Sequence, residues 1–192
     1  MSKFSDDIAR YKSMGSKGRQ LWLIPAIWAI AIHRFGNWLY VAKPFFLIGI
    51  PLRVVFFFAY MFSEVVMEMC LDPQATIGGG LYIAHSGGIH INPEATLGSN
   101  CNLTHGITIG TSAMGRAGAP VVGDNVYIGT GATLVGKIKI GNGAKIAANT
   151  LVITNVPEGA TVMGVPGRII MRPPKAVTQQ AALPVAEKMD AK

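Results

Sequence analysis

A chain of 192 residues, half of them hydrophobic and only 14% charged, has material for one ordinary domain plus an appendage and is too apolar to stay disordered outside its ends. Its two cysteines, Cys70 and Cys101, stand far apart without a CxxC pair, which argues against a disulfide framework or a zinc site and fits a reducing compartment. The net charge of +7 gathers at the front, where Lys3, Arg10, Lys12, Lys17, Arg19, Arg34, Lys43 and Arg53 outnumber Asp6 and Asp7 up to residue 62; cations beside apolar surface suit an anionic membrane face better than nucleic acid.

Residues 1–69 form the first region. The run from Leu21 to Ile32, LWLIPAIWAIAI, has the composition of a signal-peptide core, but it starts late and follows Asp6 and Asp7. The longer stretch from Pro44 to Phe62 carries Arg53 at its centre and is interrupted by Pro44 and Pro51, so it falls short of the roughly 18 uninterrupted apolar residues of a membrane span. Residues 20–69 are therefore expected to make two or three short helices lying in the membrane interface or forming a shallow hairpin, with Arg34, Lys43 and Arg53 reaching headgroups and His33 in a headgroup or core role. A helical bundle buried in a trimer interface is the alternative.

From residue 71 the pattern changes. An aliphatic residue recurs every six positions: Leu71, Ile77, Ile83, then Ile91, Leu97, Leu103, Ile109, then Val122, Ile128, Leu134, Ile140, Ile146 and Val152, commonly followed by Gly or Ala. Period six is neither the 3.6 of a helix nor the 2 of an ordinary strand, and it predicts a mainly β chain wound as a left-handed parallel β-helix over residues 70–170, three hexads to a coil. The register breaks twice: two residues are extra around Ser86 to His90, and residues 110–121 must leave the coil as a loop. Insertions in solenoids lie on the surface and often at binding sites. Residues 153–170 exit through a Pro/Gly turn and add a last strand, and residues 171–192 read as a flexible tail.

The hexad count also places chemistry. His85 follows Ile83 by two residues and His105 follows Leu103 by two; the two hexads are one coil apart, so both imidazoles fall on one face with Cα atoms about 5 Å apart. Thr130 and Ala148 occupy the next rungs. Two imidazoles at that range do not comfortably both carry a proton, and a neutral imidazole is what a general base needs. His90, among the extra residues, reads as an exposed or packing side chain, and Cys101 as a buried, inert thiol.

The segments PQATIGGGLYIAHSGGIHINPEATLG, LTHGITIGTSAMG, GDNVYIGTGATLVGKIKIGNGAKIAANTLV and GVPGRII carry a family resemblance. They resemble the serine acetyltransferase branch of the hexapeptide-repeat acyltransferases, and more closely its exopolysaccharide members of the colanic acid type. The resemblance implies a homotrimer that binds acetyl-CoA between neighbouring β-helices, without a metal. It puts the catalytic base on His85, in the segment AHSGG, and CoA contacts on Gly110, Thr111, Thr130, Lys145 and Ala148, with Arg168 as a further phosphate partner.

Departures from the branch are specific. Ala84 stands where the family has Asp before the base, Ala119 replaces a substrate-binding His ahead of Pro120, and the family's Asp partner of the base falls at Cys70, leaving Asp72 and Glu68 as candidate carboxylates. Loss of groups that would meet a charged amino acid points to O-acetylation of a sugar hydroxyl on a glycan or lipid-linked precursor, at the cytoplasmic face of a bacterial inner membrane. A divergent serine O-acetyltransferase and a non-catalytic β-helix scaffold are the alternatives.

Overall fold

The computed structural model describes residues 2–16, 18–112 and 117–171. Every aliphatic hexad residue from Leu71 to Val152 is buried. Between them a second inward set of smaller residues, including Ala75, Ala95, Cys101, Ala132, Ala144 and Ala160, completes one continuous core. Each coil is three short strands: β1 (Met69–Leu71), β2 (Thr76–Ile77) and β3 (Tyr82–Ile83); β4 (Ile89–Ile91), β5 (Thr96–Leu97) and β6 (Asn102–Leu103); β7 (Thr108–Gly110), β8 (Val121–Val122) and β9 (Tyr127–Ile128); β10 (Thr133–Val135), β11 (Lys139–Ile140) and β12 (Lys145–Ile146). After them come β13 (Leu151–Val152), β14 (Thr161–Met163) and β15 (Arg168–Ile170).

Stacked coils give three parallel sheets, β1-β4-β7-β10-β13, β2-β5-β8-β11 and β3-β6-β9-β12-β14, the last extended by antiparallel β15 across the top of the third sheet. The chain is thus a parallel β-helix behind a helical region, as the hexads predict. The third sheet turns into the first through left-handed residues at Gly88, Gly106, Gly131 and Asn149, stacked one per coil. The count differs at one point. Ile89 and Ile91 both enter the core and His90 is an ordinary outward residue of β4, paired with Cys70 and Thr108, so the extra length is taken up by Ser86 to Gly88 alone.

Three helices precede the coils: α1 (Lys3–Ser13), α2 (Pro25–Ala42) and α3 (Phe46–Val65), with a 3-10 turn at Gly18–Leu23. The last two are not short. Pro51 lies inside α3, where it forfeits one backbone bond near the first turns while packing along α2 holds the helix. Gly36 permits that packing, because a Cβ there would strike the Phe56 ring.

The lowest coil of a β-helix has backbone groups that point away from the stack and need partners. The helices supply them. Leu81 N donates to Asp7 Oδ1 (2.8 Å), Ile83 N donates to Tyr11 Oη (3.0 Å), and that hydroxyl donates to Ile83 O (2.9 Å). Arg34 donates to Ile77 O (2.7 Å) and Gly78 O (2.6 Å), Asn37 to Pro73 O, and Ser63 to Met69 O. Arg34 also pairs with Asp7, which is only 1% exposed, through Nε–Oδ2 at 3.0 Å. Arg34 therefore does not reach lipid headgroups: a carboxylate 27 residues earlier and two edge carbonyls hold it inward. Of the expected tail, residues 171–192, all but Met171 lie outside the described residues.

Next to this pair, His33 is buried and neither ring nitrogen meets a partner in hydrogen-bond geometry. Burial and the neighbouring Arg34 charge push it down to about 4, with the backbone at Leu71 and Asp72 offsetting only part of this. A histidine neutral in the fold but protonated when unfolded contributes stability fully above about pH 6.5, and the contribution falls as pH drops toward about 4, by about 3 kcal/mol in all. Urea midpoints at pH 7 and pH 4.5 will differ less in His33→Phe than in the native chain. Arg34→Met strands the Asp7 charge and two carbonyls and will lower unfolding free energy by about 3–5 kcal/mol in the same assay.

Candidate active site

Beyond the ends of β3, β6 and β9 the register persists, since Ala84 N donates to Leu103 O, Thr104 N to Ile128 O and Gly129 N to Ile146 O. His85, His105, Thr130 and Ala148 consequently stand one above another on a single corner of the coil. The rings of His85 and His105 lie 5.8 Å apart between centroids at an interplanar angle of 77°, edge to face, and both residues are exposed. Their presentation is local: Gly106 N donates to Gly87 O and Gly131 N to His105 O, so each tight glycine turn buttresses the rung beneath it.

Among the described residues neither imidazole has a side-chain partner other than the facing ring. The carboxylate of Asp72 accepts from Gln74 N at 2.8 Å, closing its own turn between β1 and β2. Glu68, in a left-handed conformation, holds Ile89 N with its carbonyl while its carboxylate extends toward Gly87, two residues from His85. Cys70 contacts Tyr60 Oη at 3.0 Å, and burial pushes its thiol up, so it supplies no anion. This Tyr60–Cys70 contact is one the sequence does not reveal: Tyr60 comes from α3, and only the helix-to-strand junction brings it to β1. Cys101 is buried with its thiol pushed up by burial and its Sγ directed to Gly123 O, as expected for an inert thiol. His90 stands on the first sheet, in register with Cys70 and Thr108, and no group of three His, Cys, Asp or Glu among the described residues is placed to hold a metal.

The other candidate residues divide in space. Lys145 on β12 and Arg168 on β15 are exposed on the third sheet, which runs into the corner where Thr130 and Ala148 sit. Gly110 ends β7 and Thr111 follows it, at the far end of that strand from the Gly106 turn next to His105. The interrupted segment that begins there belongs to a different corner from the histidines; its residues 113–116 lie outside the described residues. Ala119 is buried in the core and offers no acceptor contact within its own chain, whereas Ala84 is exposed beside His85.

The family model for bacterial transferase hexapeptide (six repeats) matches residues 119–154. The serine acetyltransferase of Mycobacterium tuberculosis strain H37Rv is 36% identical over 147 residues, covering 76% of this chain and 61% of that protein. A solved serine acetyltransferase of Neisseria gonorrhoeae in complex with serine superposes with TM-score 0.75 at 29% identity, over 88% of this chain and 68% of that one. The serine acetyltransferase of Brucella abortus strain S19 superposes with TM-score 0.71 at 30% identity, over 88% and 67%; the same protein is also solved in complex with coenzyme A. This chain spans about three fifths of the length of the Mycobacterium protein. A hexad core, a stacked coil register and these likenesses agree: the chain belongs to the hexapeptide-repeat acyltransferase family.

Proposed function

We propose that this protein is an acetyl-CoA-dependent O-acetyltransferase of the serine acetyltransferase kind, with His85 as general base. The observation that carries the reading is the exposed His85–His105 rung on a hexapeptide-repeat corner. His85 takes the proton of the acceptor hydroxyl as its oxygen attacks the thioester carbonyl. The tetrahedral intermediate then expels the CoA thiolate, which recovers the proton from the imidazolium. His105, one coil above, positions the acceptor. Lys145 and Arg168 are cations suited to CoA phosphates, and the small side chains of Gly110 and Ala148 let the pantetheine arm approach backbone groups. Because Gly110 and Thr111 stand at a different corner of the chain from the histidines, a site that uses both is most simply completed by a neighbouring copy, which supports a homotrimer.

The sequence alone ranks a glycan acceptor first. The named relatives reverse that order in favour of L-serine. The glycan reading keeps one specific support: Ala84 beside the base and Ala119 in the core leave two fewer groups to meet an ammonium or a carboxylate.

Replacing His85 with Ala will lower kcat by on the order of a hundredfold or more while the CoA dissociation constant stays within about twofold, read by steady-state kinetics and calorimetry. An unchanged rate would remove His85 from the mechanism. Parallel assays with L-serine and with a lipid-linked oligosaccharide, scored by product mass, decide the acceptor: saturable O-acetylserine formation is the expected result, and turnover on the glycan alone would transfer the assignment to the second reading.

A further inference from the structure

Along its length α3 resembles a membrane span, being 20 residues and about 30 Å long and apolar enough to cross. Its packing says otherwise. The more buried stripe Gly49, Leu52, Phe56, Tyr60 and Ser63 is spaced by three or four, and its C-terminal half meets α2 and β1: Phe56 lies against Gly36 and Phe35, Tyr60 reaches Cys70, and Ser63 Oγ donates to Met69 O. α2 is in turn fixed lengthwise across the base of the coils by Ile27 and Ile30 in the core, Arg34 on Ile77 and Gly78, and Asn37 on Pro73. α3 thus packs on α2 as the outermost layer beneath the β-helix, with its C-terminal end held to β1.

Turning about 100° per residue, the side of α3 opposite that stripe is Leu47, Ile50, Val54, Phe58, Met61 and Val65, an unbroken row without a polar atom. All six are exposed. The two charged residues of the helix, Arg53 and Glu64, fall together on one shoulder, so Arg53 is central in length but peripheral around the axis. Over the other shoulder the apolar surface continues into a groove of about 690 Å³ lined by Trp22, Leu23, Trp28 and Phe62. All three tryptophans of the chain belong to this region and are about half exposed, at 51%, 47% and 49% for Trp22, Trp28 and Trp38.

We infer that α3 lies in the plane of an anionic lipid bilayer, its outward row embedded in the acyl boundary, and that the β-helix stands on it as on a base. Half-exposed tryptophans suit the amphipathic headgroup zone, and from the 3-10 turn to the end of α3 the exposed cations Arg19, Lys43 and Arg53 outnumber the one acidic residue, Glu64, with Glu68 following the helix, a balance that matches negative headgroups. A second copy is the poorer occupant. The coil walls carry their own exposed apolar residues for subunit contact, among them Tyr127, Met163 and Ile169, well away from α3. This inference does not depend on the acceptor or on the role of His85.

Sedimentation of the full chain with vesicles of phosphatidylcholine and phosphatidylglycerol in equal parts, and of phosphatidylcholine alone, tests it. The native chain is expected to pellet with the anionic vesicles and to shift its tryptophan emission to the blue. The double variant Val54→Asp, Phe58→Asp, at exposed positions and with an unchanged melting temperature, will bind about tenfold less. Lys43→Gln with Arg53→Gln will weaken binding to anionic vesicles only. With Cys70 replaced by Ser, nitroxides placed at Leu47→Cys and Val65→Cys will report the same depth in one leaflet. Failure of the native chain to bind either vesicle, undiminished binding of the double variant, or nitroxides in opposite leaflets would overturn the inference. So would a lipid-free assembly of the native chain that halves in mass in the double variant, since the row would then be a contact between copies.

Discussion

A stack of β-coils has two open ends, and at each end a run of backbone N–H and C=O groups faces away from the ladder. Buried without partners, each costs about 1–3 kcal/mol, so the first coil folds only if something meets Leu81 N, Ile83 N and the carbonyls of Met69, Pro73, Ile77, Gly78 and Ile83. α1, α2 and the end of α3 do so with Asp7, Tyr11, Arg34, Asn37 and Ser63. A buried ion pair alone is a poor source of stability, because desolvation cancels much of the attraction. The Asp7–Arg34 pair also terminates the sheet edge with its remaining lone pair and N–H groups, which an apolar replacement of the same volume could not do. At the top, antiparallel β15 gives the third sheet a different ending.

That termination reaches the candidate site through the register. Ile83 is held on both its N–H and its C=O by the Tyr11 hydroxyl, and His85 follows two residues later. A buried phenol whose ionisation is pushed up by desolvation stays neutral, and only a neutral hydroxyl can donate and accept at once. The docking of α1 therefore sets the height and direction of the first rung, and the β3–β6 and β6–β9 pairings carry it to His105 and Thr130. The ladder of small turns does the rest, because glycines at Gly88, Gly106 and Gly131 adopt left-handed conformations that other residues adopt at a cost.

The coils were legible in the sequence because their signal is local and repeated: a six-residue spacing reads the same in every turn, and each aliphatic position it names is buried. The histidine rung follows from the same count. What was illegible depends on partners distant in sequence. Arg34 reads as a headgroup ligand until Asp7 is folded against it, Asp7 itself reads only as an acidic residue in a basic leader, and the Tyr60–Cys70 contact has no motif. Pro51 misleads for a related reason. Proline statistics describe isolated helices, whereas α3 leans along α2, and that contact outweighs the loss of one backbone bond. Composition placed Arg53 mid-span; only the angular position given by packing moves it to the shoulder.

The same layering bears on which acceptors can reach the base. His85 belongs to the lowest coil, and helices pack with axes about 8–10 Å apart, so α2 and α3 together put that rung about 20 Å from the outward surface of α3. A freely diffusing amino acid meets no constraint at that height. A lipid-linked glycan would have to rise past two helical layers, a distance spanned by a few sugar units but not by a single sugar at the headgroup. The architecture thus separates two features that composition alone runs together: the apolar, cationic surface of α3 lies at the base, while Ala84 and the His85–His105 rung stand on a corner of the coils above it. With the base and the rung two helical layers apart, the proposed membrane contact is by itself no argument for a glycan acceptor over a soluble hydroxyl.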